Sequence, residues 1–135
     1  MLDLLQTMAT GHDGTMFTIH ANSPRDALAR LELSGTAADP SMPLLNVRQQ
    51  MTSAIDLITY QERMQDGSRK ILKVTEVVGM QGDVILLQDI FEFRQTGVKD
   101  GRISGTFTAT GRIPSFLNRI RAAGVDLPLG LFTPQ

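Results

Sequence analysis

Residues 10–32 read TGHDGTMFTIHANSPRDALARLE: a loop, a short apolar run, a turn and the start of a helix. Residues 15–19 are β-branched or apolar and lie between a glycine and a turn, which predicts a fully buried strand. His20 follows at the exit of that strand, where ligands collect in open α/β sheets. A lone histidine in this position is more often a hydrogen-bonded structural residue, and the residues alone leave both roles open.

A helix is predicted to begin directly after the turn. Ser23 is a typical N-cap residue, and Pro24 suits the first helical position, where its missing N–H costs nothing. Asp26, three residues after the cap, places a carboxylate in the first turn as a variant of the capping box. The local pattern is therefore strand, turn and capped helix.

The quoted stretch resembles the histidine box of the ATPases of type II and type IV secretion, especially the CpaF branch that serves Flp/Tad-type pili. The resemblance rests on residues 10–14, 18–27 and 30–32 and continues towards the end of the chain. These ATPases are RecA-like hexameric motors. The resemblance implies an α/β fold: the C-terminal part of a truncated RecA-like P-loop NTPase, with a buried strand and flanking helices, an antiparallel meander and a C-terminal helix.

The composition predicts one globular domain. The 135 residues are 41% hydrophobic and 20% charged, which suits a single domain with its own core. A net charge of −1 gives no electrostatic reason to expect nucleic-acid binding. The absence of cysteine excludes disulfides and thiolate metal sites. No apolar run is long enough to span a bilayer and no signal peptide is present, so we expect a cytoplasmic protein without direct membrane insertion.

Within residues 1–135 we expect three parts of one motor-domain portion. They are a helix–strand–helix histidine box (1–33), a helix plus antiparallel meander (41–94), and a C-terminal strand, helix and tail (105–135). Helices are predicted over residues 2–9, from Pro24 to about 34, from 43 to 55, and from Pro114 to a stop at Gly124. Strands are predicted over 56–61, 69–78 and 84–94, with a hairpin turn at 65–68, a polar connection at 96–105 and a short strand at 106–109.

No catalytic motif occurs in the sequence. A P-loop requires Gly-x-x-x-x-Gly-Lys-Ser/Thr, and the nearest imitation, residues 105–112, has the wrong spacing and arginine in place of lysine. By the resemblance, the Walker B region and the domain that completes the nucleotide pocket are expected before Met1. His12 and His20 lack a metal-ligand spacing, and no Gly-x-Ser-x-Gly elbow is present.

The resemblance implies roles for five residues. His20 is expected to sense the terminal phosphate of ATP, with His12 beside it or at a subunit boundary, because imidazole can donate a hydrogen bond to a phosphate oxygen. Thr18 faces the same region and could contribute, although a buried strand threonine bonded to backbone is the plainer interpretation. Arg25 and Arg30 could reach a neighbour's nucleotide, whereas a solvated or salt-bridged helix arginine is the plainer interpretation.

Two functional hypotheses follow. In the first, the chain is the C-terminal part of a hexameric secretion or pilus motor that uses ATP and Mg²⁺, and it is inactive without the P-loop. Its partners are then the missing N-terminal half or neighbouring subunits, as a homo-oligomer, and inner-membrane secretion or pilus components. In the second, it is a stand-alone, non-catalytic module that binds a secretion motor or another partner. An unpaired strand at 15–19 would also promote dimerisation, swapping or aggregation.

Overall fold

A computed structural model describes residues 14–135. The elements follow the chain as helices α1 (Pro24–Ala38) and α2 (Leu44–Ala54), strands β1 (Leu57–Arg63), β2 (Arg69–Gln81), β3 (Val84–Lys99) and β4 (Arg102–Ala109), helix α3 (Leu117–Ala122), and a 3₁₀ turn (Leu129–Phe132). The predicted α/β fold class is confirmed, with helices and a four-stranded antiparallel sheet. The helix predicted over residues 2–9 lies outside the described residues.

The strand predicted at residues 15–19 is not formed. This segment shows the alternating burial typical of an extended chain but belongs to no strand of the sheet that residues 14–135 build. Its side chains alternate between exposed and partly buried, and Met16 is 91% exposed, so the expectation of full burial is wrong. The four strands of the described sheet are β1 to β4, and this segment is not among them.

Helix α1 is longer than predicted because it continues through Ser34 and Gly35 to Ala38. The reason is packing against α2. A methyl group at Gly35 would lie 2.9 Å from Cγ1 of Val47, and Val47 is completely buried. Glycine is a poor helix former, but here its missing side chain allows the two helices to approach closely. Helix α2 begins after Pro43, as predicted, although without a side-chain cap.

The sheet is a meander in the order β1-β2-β3-β4, as predicted for its first three strands. Strands β3 and β4 pair antiparallel from Phe91↔Ala109 to Lys99↔Arg102, with an irregularity between Gln95 and Gly97. The polar connection predicted at 96–105 is therefore wrong, since β3 and β4 run through it. They are joined by a two-residue turn whose residues, Asp100 and Gly101, both have positive φ angles of 53° and 74°.

The described chain forms two compact units. The first comprises residues up to Leu57 together with Val77–Leu87, which is the tip of the β2–β3 hairpin. In this unit Val77 N donates a hydrogen bond to Asp56 O at 3.0 Å. Its buried apolar side chains are Ala27, Leu28, Leu31, Val47, Met51, Ala54, Ile55, Val77 and Ile85.

The second unit comprises Ile58–Glu76 and Gln88–Gln135. Its core joins Ile90 from β3, Leu117 from α3 and Phe132 from the tail, which packs back through a 3₁₀ turn. The predicted stop of α3 at Gly124 is also confirmed by its positive φ of 91°.

A buried carboxylate ties the C-terminal loop to the sheet in this second unit. Glu76 is 1% exposed and accepts hydrogen bonds from the backbone N (2.9 Å) and hydroxyl of Ser115 and from the side-chain amide of Gln88. Gln88 also donates to Ile113 O at 3.3 Å. Since a buried carboxylate is costly without donors, these bonds explain its position.

Among the helices described for residues 14–135, none has both the length and the apolar character needed to cross a bilayer.

Candidate functional site

The turn between His20 and α1 is fixed by reciprocal capping bonds. Ser23 Oγ accepts from Asp26 N at 3.0 Å, and Asp26 Oδ2 accepts from Asn22 N at 2.9 Å. The predicted start of the helix at Pro24 is confirmed, and the capping box is confirmed in a form that reaches one residue further back. These bonds set the position at which the extended segment enters the helix.

The extended segment presents Thr18 and His20 on one face. Residues 14–20 alternate strictly, with Met16, Thr18 and His20 exposed and the odd-numbered residues partly buried. Side chains two apart in an extended chain point the same way, about 7 Å from each other. The two polar groups therefore share one accessible surface. His12, the other predicted sensor, lies outside the described residues.

Arg30 is held by an ion pair within α1. Its Nε lies 3.2 Å from Asp26 Oδ2, at the i, i+4 spacing typical of helix salt bridges. The pKa of Asp26 is lowered, chiefly because the Asn22 N–H donates to the carboxylate and secondarily because of Arg30. The local geometry thus matches the salt-bridged alternative for Arg30.

Arg25 belongs to a pocket of about 240 Å³ in the first unit. Its Nη2 donates to Ile85 O in the β2–β3 hairpin at 3.1 Å. The pocket is lined by Arg25, Leu28, Ala29, Glu32, Arg48, Val84 and Ile85. A guanidinium group carries five N–H donors, and this bond uses one of them. Most donors of Arg25 therefore have no hydrogen-bond acceptor among residues 14–135.

Arg48 on α2 is the pocket residue that the sequence did not predict. Its Nε donates to Glu32 Oε1 at 2.6 Å and its Nη1 to Asp83 O at 2.7 Å. The bond with Glu32 raises the pKa of Arg48. The partners of Arg48 come from two elements that are distant in sequence, Glu32 on α1 and Asp83 in the turn of the β2–β3 hairpin, and a helical pattern alone does not reveal them.

The charges around the pocket nearly balance. Arg25 and Arg48 line it with Glu32, the Asp83 carboxylate also acts on Arg48, and bonds to backbone carbonyls keep both guanidinium groups in place. Residues 14–135 contain no cluster of three histidine or carboxylate side chains suited to a metal ion. The pocket therefore offers binding and positioning, without a nucleophile or a metal ligand set.

Comparison with known proteins identifies relatives. A model of the family described as "Type II/IV secretion system protein" matches residues 1–106. Two Mycobacterium tuberculosis proteins, from strains CDC 1551 and H37Rv and named as conjugal transfer proteins, are each 29% identical over 84 residues. The matches cover 62% of this chain and 23% of each relative, so the chain spans less than a quarter of the curated relatives it matches.

Proposed function

Because this chain belongs to the type II/IV secretion system protein family, we propose that it forms the C-terminal part of an ATP-driven secretion motor. We assign the motor to the CpaF branch that assembles Flp/Tad-type pili. The observation that supports this proposal most is the family match over residues 1–106, which includes the whole histidine-box stretch at 10–32. The motor function belongs to a longer assembly, since no P-loop occurs in these 135 residues.

In this proposal His20 reports whether the bound nucleotide is ATP or ADP. Its exposure beside Thr18 leaves the imidazole accessible to a phosphate oxygen, to which it donates a hydrogen bond. His12 contributes from the adjoining loop. ATP and Mg²⁺ are held by a P-loop on another segment or subunit, so this chain alone does not hydrolyse ATP.

Arg25 suits contact with a neighbour's nucleotide better than Arg30 does. Within residues 14–135, Arg25 has one hydrogen bond, to Ile85 O, and it lines an open pocket, so most of its donors are available to a phosphate group. The charge of Arg30 is already balanced by Asp26, whose Oδ2 lies 3.2 Å from Arg30 Nε, so Arg30 attracts a phosphate group less strongly. We therefore propose Arg25 as the trans-acting cation and keep Arg30 as a weaker candidate.

The extended segment at 15–19 suits assembly with other polypeptides. It has high β propensity, lies outside the described sheet and ends at His20. We propose that it gains strand partners in a homo-oligomer that docks on inner-membrane components from the cytoplasmic side. The alternative, a non-catalytic module that binds a secretion motor, uses the same surfaces without the nucleotide.

The proposal is tested by joining this chain to the P-loop-bearing segment of a family member and measuring ATP affinity and phosphate release. His20→Ala is expected to lower turnover at subsaturating ATP by about 10- to 100-fold, the loss typical of one hydrogen bond to a charged group, and to reduce the preference for ATP over ADP. Met16→Ala, on the same exposed face, is the matched control and keeps normal turnover. Unchanged turnover in His20→Ala contradicts the proposal, and stable partner binding without any P-loop segment favours the module.

A further inference from the structure

One end of the sheet carries a basic residue at every strand terminus. Strand β1 ends at Arg63, β2 begins at Arg69, β3 ends at Lys99 and β4 begins at Arg102. All four residues are exposed, and Lys70 adjoins them on β2. We call Arg63, Arg69, Lys70, Lys99 and Arg102 the basic sheet end. It lies wholly within the second unit.

The two hairpin turns bring these cations together. The β1–β2 turn is closed by Met64 N donating to Ser68 O at 2.7 Å. Asp66 in that turn accepts a hydrogen bond from Ile103 N on β4 at 2.7 Å, which places it beside the β3–β4 turn. Since neighbouring strands lie about 4.8 Å apart, four strand ends span roughly 14 Å. The four strand-terminal cations therefore lie at the same end of the sheet.

These charges have few internal partners. Across residues 14–135, the side chains of the four strand-terminal cations enter none of the ion pairs, which join other residues. Lys70 lies over the Phe93 ring at 5.4 Å. Three carboxylates lie at the same end: Glu62, Asp66 and Asp100. Glu62 accepts a hydrogen bond from the Tyr60 hydroxyl, and Asp66 accepts hydrogen bonds from Ser68 and from the Ile103 N–H. A positive surplus therefore stands on one end of a chain whose net charge is −1.

We propose that the basic sheet end docks on an anionic phospholipid surface. Two turns and four strand ends meet there, and its positive charge is complementary to anionic headgroups. Val98, beside Lys99, is 64% exposed and offers an apolar contact at the headgroup boundary. Each lysine or arginine held near an anionic leaflet raises binding by about fivefold.

The same residues suit other polyanions less well. Residues 63–70 and 97–103 include no aromatic side chain on which single-stranded nucleic acid could stack, and the neighbouring Phe93 ring has Lys70 over it. An acidic peptide added as a strand at this end of β4 would find the Ile103 N–H already bonded to Asp66. A planar anionic surface makes neither demand.

The test is cosedimentation of the full chain with phosphatidylcholine vesicles that contain about one-third phosphatidylglycerol. We expect binding to these vesicles, none to pure phosphatidylcholine, and release in about 1 M salt, where the Debye length falls to about 3 Å. Failure to bind the anionic vesicles overturns the proposal, as does equal binding to the neutral ones. Preference for single-stranded DNA or poly-glutamate over the vesicles assigns the surface to another partner and also overturns it.

Matched double variants locate the contact. Lys99→Gln/Arg102→Gln on one hairpin, and Arg63→Gln/Arg69→Gln on the other, are each expected to weaken vesicle binding by about 25-fold. Arg112→Gln/Arg121→Gln removes the same charge from exposed positions elsewhere in the second unit and should weaken binding less than about threefold. Circular dichroism checks that each variant is folded. An equal loss in all three variants indicates attraction by net charge alone and overturns the assignment to the sheet end.

Discussion

The hydroxyl of Ser23 fixes the first turn of α1 and with it the position of the segment that ends at His20. Its Oγ accepts from Asp26 N at 3.0 Å, which satisfies one of the helix's otherwise unpaired N–H groups. Ser23→Ala is expected to lower the free energy of unfolding by about 1 kcal/mol. Urea unfolding followed by circular dichroism measures this loss.

Ser34→Ala is the matched control, because it makes the same substitution within the same helix. Ser34 Oγ donates to Arg30 O one turn back, a bond that contributes little to helix stability. We expect a change within about 0.5 kcal/mol of zero. Equal losses in the two variants would refute the capping role of Ser23.

The hydrogen bonds of Asp66 should make the stability of the fold depend on pH in the acid range. The Ser68 hydroxyl and N–H and the Ile103 N–H lower its pKa to about 2, against about 3.9 in an unfolded chain. A folded pKa below the unfolded one stabilises the protein fully above the unfolded value, and this contribution is lost as pH falls from about 5 towards 2.

Asp66→Asn should flatten that acid dependence, since the amide does not titrate. The urea midpoint of the wild type should fall more steeply between about pH 5 and pH 3 than that of the variant. Ser68→Ala removes one donor and should give an intermediate slope. Parallel pH profiles for wild type and Asp66→Asn would show that this carboxylate is not responsible.

At the scale of elements, the contact between α1 and α2 depends on Gly35. Replacing a helix glycine by alanine ordinarily stabilises by about 1 kcal/mol, but here the new methyl group would meet Val47 Cγ1 at 2.9 Å. Because Val47 is fully buried, the clash is expected to cost about 1–3 kcal/mol and outweigh that gain.

Gly35→Ala should therefore lower stability, and the double variant Gly35→Ala/Val47→Ala should lose less than the sum of the single losses, by about 1 kcal/mol. Denaturant unfolding of the three variants gives this coupling directly. If the Gly35→Ala protein is more stable than the wild type, α1 and α2 can move apart without losing packing energy, and the close contact at Gly35 is not needed.

The elements show which sequence signals sufficed. Cap residues located the start of α1, and Gly124 marked the end of α3, because both signals act within a few residues. The pairing of β3 with β4 escaped prediction, since a glycine-rich polar run resembles a loop until its Asp100–Gly101 turn is recognised.

Long-range structure was harder to predict. Residues 15–19 have strand composition, but their state depends on a partner that local sequence does not specify. The partners of Arg48 could not be predicted for the same reason. Its bonds to Glu32 and Asp83 join positions that are far apart in the chain, whereas a helical pattern alone indicates only an exposed side chain. Thr18 and His20 did share a face, as their spacing allows, while their role in sensing remains a proposal.

For the whole molecule, family membership and the missing P-loop lead to one account. The chain belongs to the type II/IV secretion system protein family, and its 135 residues include no Gly-x-x-x-x-Gly-Lys-Ser/Thr. In a P-loop, a backbone cradle and a lysine hold the phosphates. We propose that another segment supplies this loop, and that His20 and Arg25 face the phosphate groups that it holds.

The most direct test is a calorimetric titration of this chain with MgATP, with phosphate release followed in the same samples. The account predicts neither binding nor turnover for the chain alone, and both after it is joined to a P-loop-bearing segment of the family. Saturable binding by the chain alone, with turnover that His20→Ala abolishes, would contradict the account, because the pocket would then be complete without a P-loop.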